Sequence, residues 1–163
     1  MLKNKKVWLL ILLELLVVLF IAYQCHGGTE RTRTFQYDNN NFAFHLEAGR
    51  GNCLYEAEDR GWFGDGEVYT VWQIEDIKPL LDKLNWQSGQ PFQHELFQTV
   101  TDLTELDTYY LPNDLKQQGW YYYIGQDKDG YEDDRMLLIL VPEVKMGDGL
   151  QYKHLLFIVE LYS

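Results

Sequence analysis

The chain has 163 residues, with 14 Lys and Arg against 25 Asp and Glu, and a formal net charge of −11 at pH 7. Nucleic-acid binding rests on neutralising phosphates with Lys and Arg, so this balance excludes it as a main activity. Two cysteines exclude a disulfide framework and a multi-cysteine zinc site.

Residues 1–6, Met1-Leu2-Lys3-Asn4-Lys5-Lys6, form a basic flank expected to stay in the cytoplasm. An apolar run follows from Val7 to Tyr23, at the short end of a spanning helix and slightly long for a signal-peptide core. Glu14 interrupts it at a cost of about 2.5–3.5 kcal/mol, taking Glu to be like Asp. The 12 Leu, Ile, Val and Phe residues between Leu9 and Ile21 return about 4–7 kcal/mol, so insertion wins. Three fates are open to the segment. It is retained as an anchor, which is the favoured reading, or cleaved near Gly27 after the small residues of Cys25-His26-Gly27, or lipidated at Cys25. Tyr23 and Gln24 ahead of Cys25 depart from the small residues of a lipoprotein box. Glu14 is either a tolerated polar residue or a partner for another helix in the membrane.

Residues 24–34 are polar and read as a tether, and 35–163 as one extracytoplasmic domain. Residues 1–28 carry three Lys and one Glu, so the remaining 135 residues carry −13. Such a charge keeps a domain soluble and favours cationic proteins, metal ions or neutral ligands as partners. A Cys25–Cys53 disulfide is open to an exported chain.

Phe35 and Tyr37, the turn cluster Asp38-Asn39-Asn40-Asn41, and then Phe42, Phe44 and Leu46 give period two on both sides of a turn, which predicts a hairpin. Residues 47–66 hold five glycines, at 49, 51, 61, 64 and 66, with many charges, and read as loop. Glu67–Ile74 is the next strand, with Val68, Thr70, Trp72 and Ile74 on one face. Glu75–Leu84 reads as a short helix with acids at its start and Pro79 in its first turn. Glu95–Val100 fits a strand or a helical turn, and Thr101–Tyr109 a short helix. Trp120–Ile124, Met136–Val141 and Leu155–Tyr162 are strands. Pro142 and Gly147-Asp148-Gly149 are read as the loop joining the last two as an antiparallel pair. The sum is five to seven strands with one or two short helices. That predicts an α+β fold, mostly antiparallel sheet, preceded by the N-terminal apolar helix.

Asp59-Arg60-Gly61-Trp62-Phe63-Gly64-Asp65-Gly66 leads into a strand. Trp86 to Pro91, Gly119-Trp120-Tyr121-Tyr122-Tyr123 and two closing strands come after it. This order, over residues 55–163, resembles a group of small uncharacterised bacterial proteins, mostly Gram-positive, with a Gly-Asp-Gly loop before a strand. Members often carry His-Gly-Gly-Phe where this chain has Arg60-Gly61-Trp62-Phe63. The resemblance implies an exported bacterial protein and no activity.

Asp59, Trp62, Phe63, Asp65 and Glu67 are the candidate binding residues, grouped around the Gly-Asp-Gly loop. Read structurally, the same loop is a tight turn into a strand. Asp127, Asp129 and Asp133 form a second carboxylate group whose hard oxygens suit Ca²⁺. An EF-hand register would put Gly125 and Met136 at its first and last ligand positions, so the group is no EF-hand. A solvated hairpin tip is its simpler reading. Ser88 and Ser163 sit in no nucleophile elbow. Cys53 with His45, His94 or His154 is the one conceivable thiol–imidazole pair. Four consecutive aromatics, Trp120 to Tyr123, must point to both faces of their strand. An aromatic strip left exposed would suit a glycan or a protein. The expected function is a membrane-tethered, non-enzymatic binding domain whose partner is an envelope protein or glycan, with no cofactor. The alternative is a small envelope hydrolase using carboxylates near Asp59 and Asp65.

Overall fold

The computed structural model describes residues 33–60, 65–103, 108–131 and 133–163. The membrane segment Val7–Tyr23 with Glu14, and Cys25, Trp62 and Phe63, lie outside the described residues. No described helix is long and apolar enough to cross a membrane.

Seven strands form one sheet: β1 (Arg33–Asn39), β2 (Phe44–Arg60), β3 (Gly66–Ile74), β4 (Gln87–Gly89), β5 (Gly119–Ile124), β6 (Arg135–Lys145) and β7 (Gln151–Tyr162). Their order is β1-β2-β3-β7-β6-β5-β4, and every neighbour pair is antiparallel. Two meanders thus enter from opposite edges and meet at β3 and β7 in the centre. α1 (Lys78–Leu81) lies between β3 and β4, and a 3₁₀ turn (Pro91–Gln93) and α2 (Glu95–Leu103) lie between β4 and β5. A mostly antiparallel sheet with a few short helices is the expected α+β fold.

The central strands are buried on both faces, so they read as apolar runs rather than alternations. On one face Tyr69, Val71, Leu137, Ile139, Val141, Leu155, Phe157 and Val159 pack against Phe92, Leu96, Phe97 and Val100. The last three lie on α2 at helical spacing, which makes that helix amphipathic. On the other face Phe35, Leu46, Ala48, Ile74, Leu138, Leu140, Leu156 and Ile158 pack against Leu80 of α1. Strand twist and curl bring β1 and β2 round onto this face. Phe44 of β2 stacks on Tyr122 of β5 at 6.0 Å, although three strands separate them in the sheet. The β1–β2 turn then meets the β5–β6 loop, where Lys128 N–H donates to the Asn41 carbonyl at 2.8 Å.

Several predicted boundaries change. Residues 47–60 are strand, not loop, and β2 runs through Gly49 and Gly51. Gly51 faces inward, where a Cβ would lie 2.8 Å from Phe35 Cβ. The glycine there answers to crowding rather than to a turn. The predicted helix Glu75–Leu84 shrinks to Lys78–Leu81, and Asp76 instead accepts from Lys78 N–H at 2.9 Å. Residues 101–103 belong to α2, and Thr108–Tyr110 form a separate 3₁₀ turn. β6 continues through Pro142, because β5 begins at Gly119 and no described strand needs an N–H from Pro142 on that side.

Candidate functional site

Arg33, the first described residue of β1, pairs with Gly51 of β2. From Asn52 to Arg60, β2 has β3 on its inner side, and no described strand lies on its outer side. A bulge between Cys53 and Tyr55 shifts the register, and from Tyr55↔Val71 to Arg60↔Gly66 the pairing is regular. Glu56, Glu58, Asp59 and Arg60 on this stretch are exposed.

The stretch ends in an acidic corner. The register sets Asp59 directly opposite Glu67 of β3. Like charges opposed across a pair of strands are destabilising, so sheet stability does not account for them. Asp65 is exposed. Arg60 is the one described cation among these carboxylates, and its Nε lies 2.6 Å from Glu58. Its guanidinium also sits over the Tyr162 ring, 4.9 Å from the centroid, a cation–π contact that fixes it in place. Gly66 turns the chain here with φ 146°, and a Cβ on it would lie 1.9 Å from the Asp59 carbonyl oxygen. The structure therefore brings Asp59 and Glu67 together, with Asp65 next to Gly66 at the start of β3.

Sequence reasoning missed a polar cluster inside the curl next to this corner. Glu160 of β7 is 2% exposed. Tyr37 and Tyr162 donate their hydroxyls to its carboxylate in short hydrogen bonds, and Asn39 Nδ2 donates to it at 3.1 Å. Asn39 Nδ2 also reaches the Tyr162 hydroxyl at 2.7 Å, while its Oδ1 accepts from Asn41 N–H at 3.0 Å. Burial, and then the neighbouring Glu160 charge, push both phenols far above the ordinary tyrosine range. They stay protonated and keep donating. The cluster ties the first hairpin to the last strand, and its members are spent on one another.

The second carboxylate group serves the backbone. Asp127 is buried, and its Oδ1 accepts from Asp129 N–H at 2.9 Å and Tyr131 N–H at 2.8 Å. Asp129 and Asp133 are exposed. Among the described residues, no three His, Cys, Asp or Glu stand together as a metal site. Cys53 is a half-buried free thiol that donates to the Tyr55 carbonyl at 3.4 Å, and burial pushes its pKa up. A thiol so placed is a poor nucleophile.

The aromatics of β5 divide between the faces as expected. Trp120 and Tyr122 join the α1 side, and Tyr121 packs on the α2 side. Tyr123 remains 37% exposed and contacts the tilted His94 ring at 4.7 Å. Burial, and to a lesser extent Arg135, depress the His94 pKa. The Tyr121 hydroxyl, close by, donates to Gln87 at 2.8 Å. A shallow groove of about 240 Å³ lies between Ser88, Gln118, Gly119, Trp120 and Pro142. That is small for a ligand pocket, which typically spans about 300–1,000 Å³.

Comparison of the chain with protein-family models, with curated proteins and with solved structures gave no match.

Proposed function

We propose that the chain is a membrane-tethered, non-enzymatic domain held outside the cytoplasm, where it binds a protein or another envelope component. The basic flank and the apolar run Val7–Tyr23 support the tether. Cleavage near Gly27 would make the same domain a secreted one. The observation that carries the binding reading is the exposed end of β2, Glu56–Arg60, with the opposed carboxylates Asp59 and Glu67. Like charges so opposed do not stabilise a sheet, and an exposed acidic surface suits a cationic partner. The resemblance to small exported bacterial domains fits this reading and adds no activity to it.

A photo-crosslinking residue placed at Glu56 in intact cells tests the proposal. The expected result is a specific adduct from Glu56 and none from the exposed Glu143 on β6. If neither Glu56 nor Tyr123 captured a specific partner, the binding reading would fail.

One observation favours the hydrolase alternative, the cross-strand pairing of Asp59 with Glu67 beside Asp65. Under that reading Asp65→Asn abolishes a measured glycan-cleaving activity while the melting temperature stays put.

A further inference from the structure

We infer that the domain rests on the lipid surface through one lobe, residues 108–117 with 143–153, whose apolar side chains Tyr109, Leu115 and Leu150 enter the headgroup region. The inference rests on the tether in the reading above and adds the face that the domain turns to the membrane.

The register places the lobe. Arg33 pairs with Gly51, and Gly51 with Ile74. One position along, Gln73 pairs with Leu155, and Leu155 with Val141. The start of β1 thus stands level with the middle of β6. Beyond that level β6 and β7 run on as a hairpin, with 143–145 paired to 151–153. Residues 109–113 lie along it. The Tyr109 and Leu111 carbonyls accept from Asp148 and Gly147 N–H at 3.3 and 2.9 Å, and Asn113 N–H donates to the Lys145 carbonyl at 2.9 Å.

The apolar side chains are held in the open. Val144 and Met146 of the same hairpin are buried in the core, yet Tyr109 is 59% exposed, Leu115 39% and Leu150 60%. The turn that presents Leu150 is fixed. Asp148 accepts from Leu150 N–H at 2.7 Å and from the Tyr152 hydroxyl at 2.7 Å, and Met146 N–H donates to the Leu150 carbonyl at 3.0 Å. Exposed apolar groups gathered on one surface with a polar rim mark a site of contact with a protein or a membrane. Tyrosine suits headgroup depth, because its ring is apolar and its tip polar. Lys116, Lys145 and Lys153 on the same lobe can lay their stems along lipid with the ammonium groups among the headgroups.

The tether and the charge select lipid as the occupant. Arg33 follows Tyr23, the end of the apolar run, by ten residues, which span at most about 33–36 Å. Tyr162, at the opposite end of β7, lies about 23 Å from Leu155, so presenting that end to the membrane would use most of this reach. The lobe carries three Lys against three Asp and Glu and is neutral. At the opposite end, residues 58–67 hold four carboxylates and one Arg, and residues 126–134 hold five carboxylates and one Lys. Anionic headgroups repel such an end. The neutral lobe therefore turns to the membrane, and the corner of Asp59 and Glu67 faces away from it.

The test uses the full chain, with Cys25 and Cys53 replaced by alanine, in vesicles of phosphatidylglycerol and phosphatidylethanolamine. Lipids bearing a nitroxide near the headgroup quench a bimane dye on one introduced cysteine, and flotation with the vesicles reports the tether separately. The dye at Leu150→Cys is expected to be quenched several-fold more strongly than at Asp129→Cys, on the acidic end. The dye at Lys145→Cys should follow Leu150. Adding Leu115→Asp and Leu150→Asp to the Lys145→Cys chain should lower its quenching to the Asp129 level, with the melting temperature kept because both leucines are exposed. Quenching at Lys145 that survives these substitutions would overturn the inference, since the tether alone would then hold the lobe near lipid. Equal quenching at Leu150 and Asp129 would overturn it too. So would self-quenching at Leu150 that unlabelled chain relieves, which would put a second copy of the chain on the lobe. A chain that floats without quenching at Leu150 sinks this inference and leaves the tether standing. One that stays out of the floated vesicles removes the tether and the inference with it.

Discussion

At Gly66 the backbone takes φ 146°, and any side chain would run into the Asp59 carbonyl 1.9 Å away. Gly66→Ala is therefore expected to cost about 1–3 kcal/mol, read as a lower thermal midpoint; an unchanged midpoint would show that the turn has another conformation open to it. A special glycine at this position was legible in the sequence, because Gly-Asp-Gly is a local motif. The role of Glu160 was not. It stands in an apolar strand, and its donors Tyr37 and Asn39 lie 123 and 121 positions away along the chain. Tyr37→Phe removes one donor and leaves a buried carboxylate oxygen short of a partner. The expected loss is about 1–3 kcal/mol, seen as a lower urea midpoint. If Tyr37→Phe matched the native protein in that titration, the hydroxyl would carry no weight in the cluster.

Elements follow the same division between local and distant causes. The first hairpin and strands β5, β6 and β7 were readable because period two and apolar runs are written in consecutive residues. β2 was half hidden. Its far end has no described neighbour outside and only a partly covered inner face, so Glu56, Glu58 and Asp59 gave it the composition of a loop. The candidate carboxylates were legible as residue types around a turn. Their meaning was not, because only the register reveals that Asp59 opposes Glu67. α2 was ambiguous between strand and helix since its apolar residues are few, and the sheet decides by burying Leu96, Phe97 and Val100 together. Phe97 is 1% exposed and contacts Phe92 edge-on at 5.3 Å. Phe97→Ala should therefore cost about 3–5 kcal/mol, while Asp102→Ala, on the exposed side of the same helix, should stay within about 0.5 kcal/mol. Equal losses in chemical denaturation would mean that α2 is not fastened through that face.

For the whole domain, closure of the curl joins chain ends that sequence patterns treat separately. The Tyr37–Glu160–Tyr162 cluster, the Lys128–Asn41 backbone bond and the buried turn residue Phe42 against Tyr162 all lie where β1 meets β7 and the β5–β6 loop. Because the folded state raises the pKa of both phenols, stability becomes linked to alkaline pH. A raised folded pKa means that the folded chain holds protons the unfolded chain has released. The stabilisation is thus fully present below the unfolded tyrosine value of about 10 and is lost as pH climbs above it. Tyr69, fully buried and raised by burial first and then by Tyr55, pulls the same way. The native protein should show a urea midpoint that falls steeply once pH passes the ordinary tyrosine range. Tyr37→Phe with Tyr162→Phe should start from a lower midpoint at neutral pH and fall less steeply, since fewer phenols remain to release protons on unfolding. The slope should not vanish, because Tyr69 is still there. All other groups are common to both proteins, so the difference between the two curves isolates the two phenols. Parallel curves would mean that Tyr37 and Tyr162 ionise as freely in the folded chain as in the unfolded one, and that Glu160 is not what keeps the curl closed.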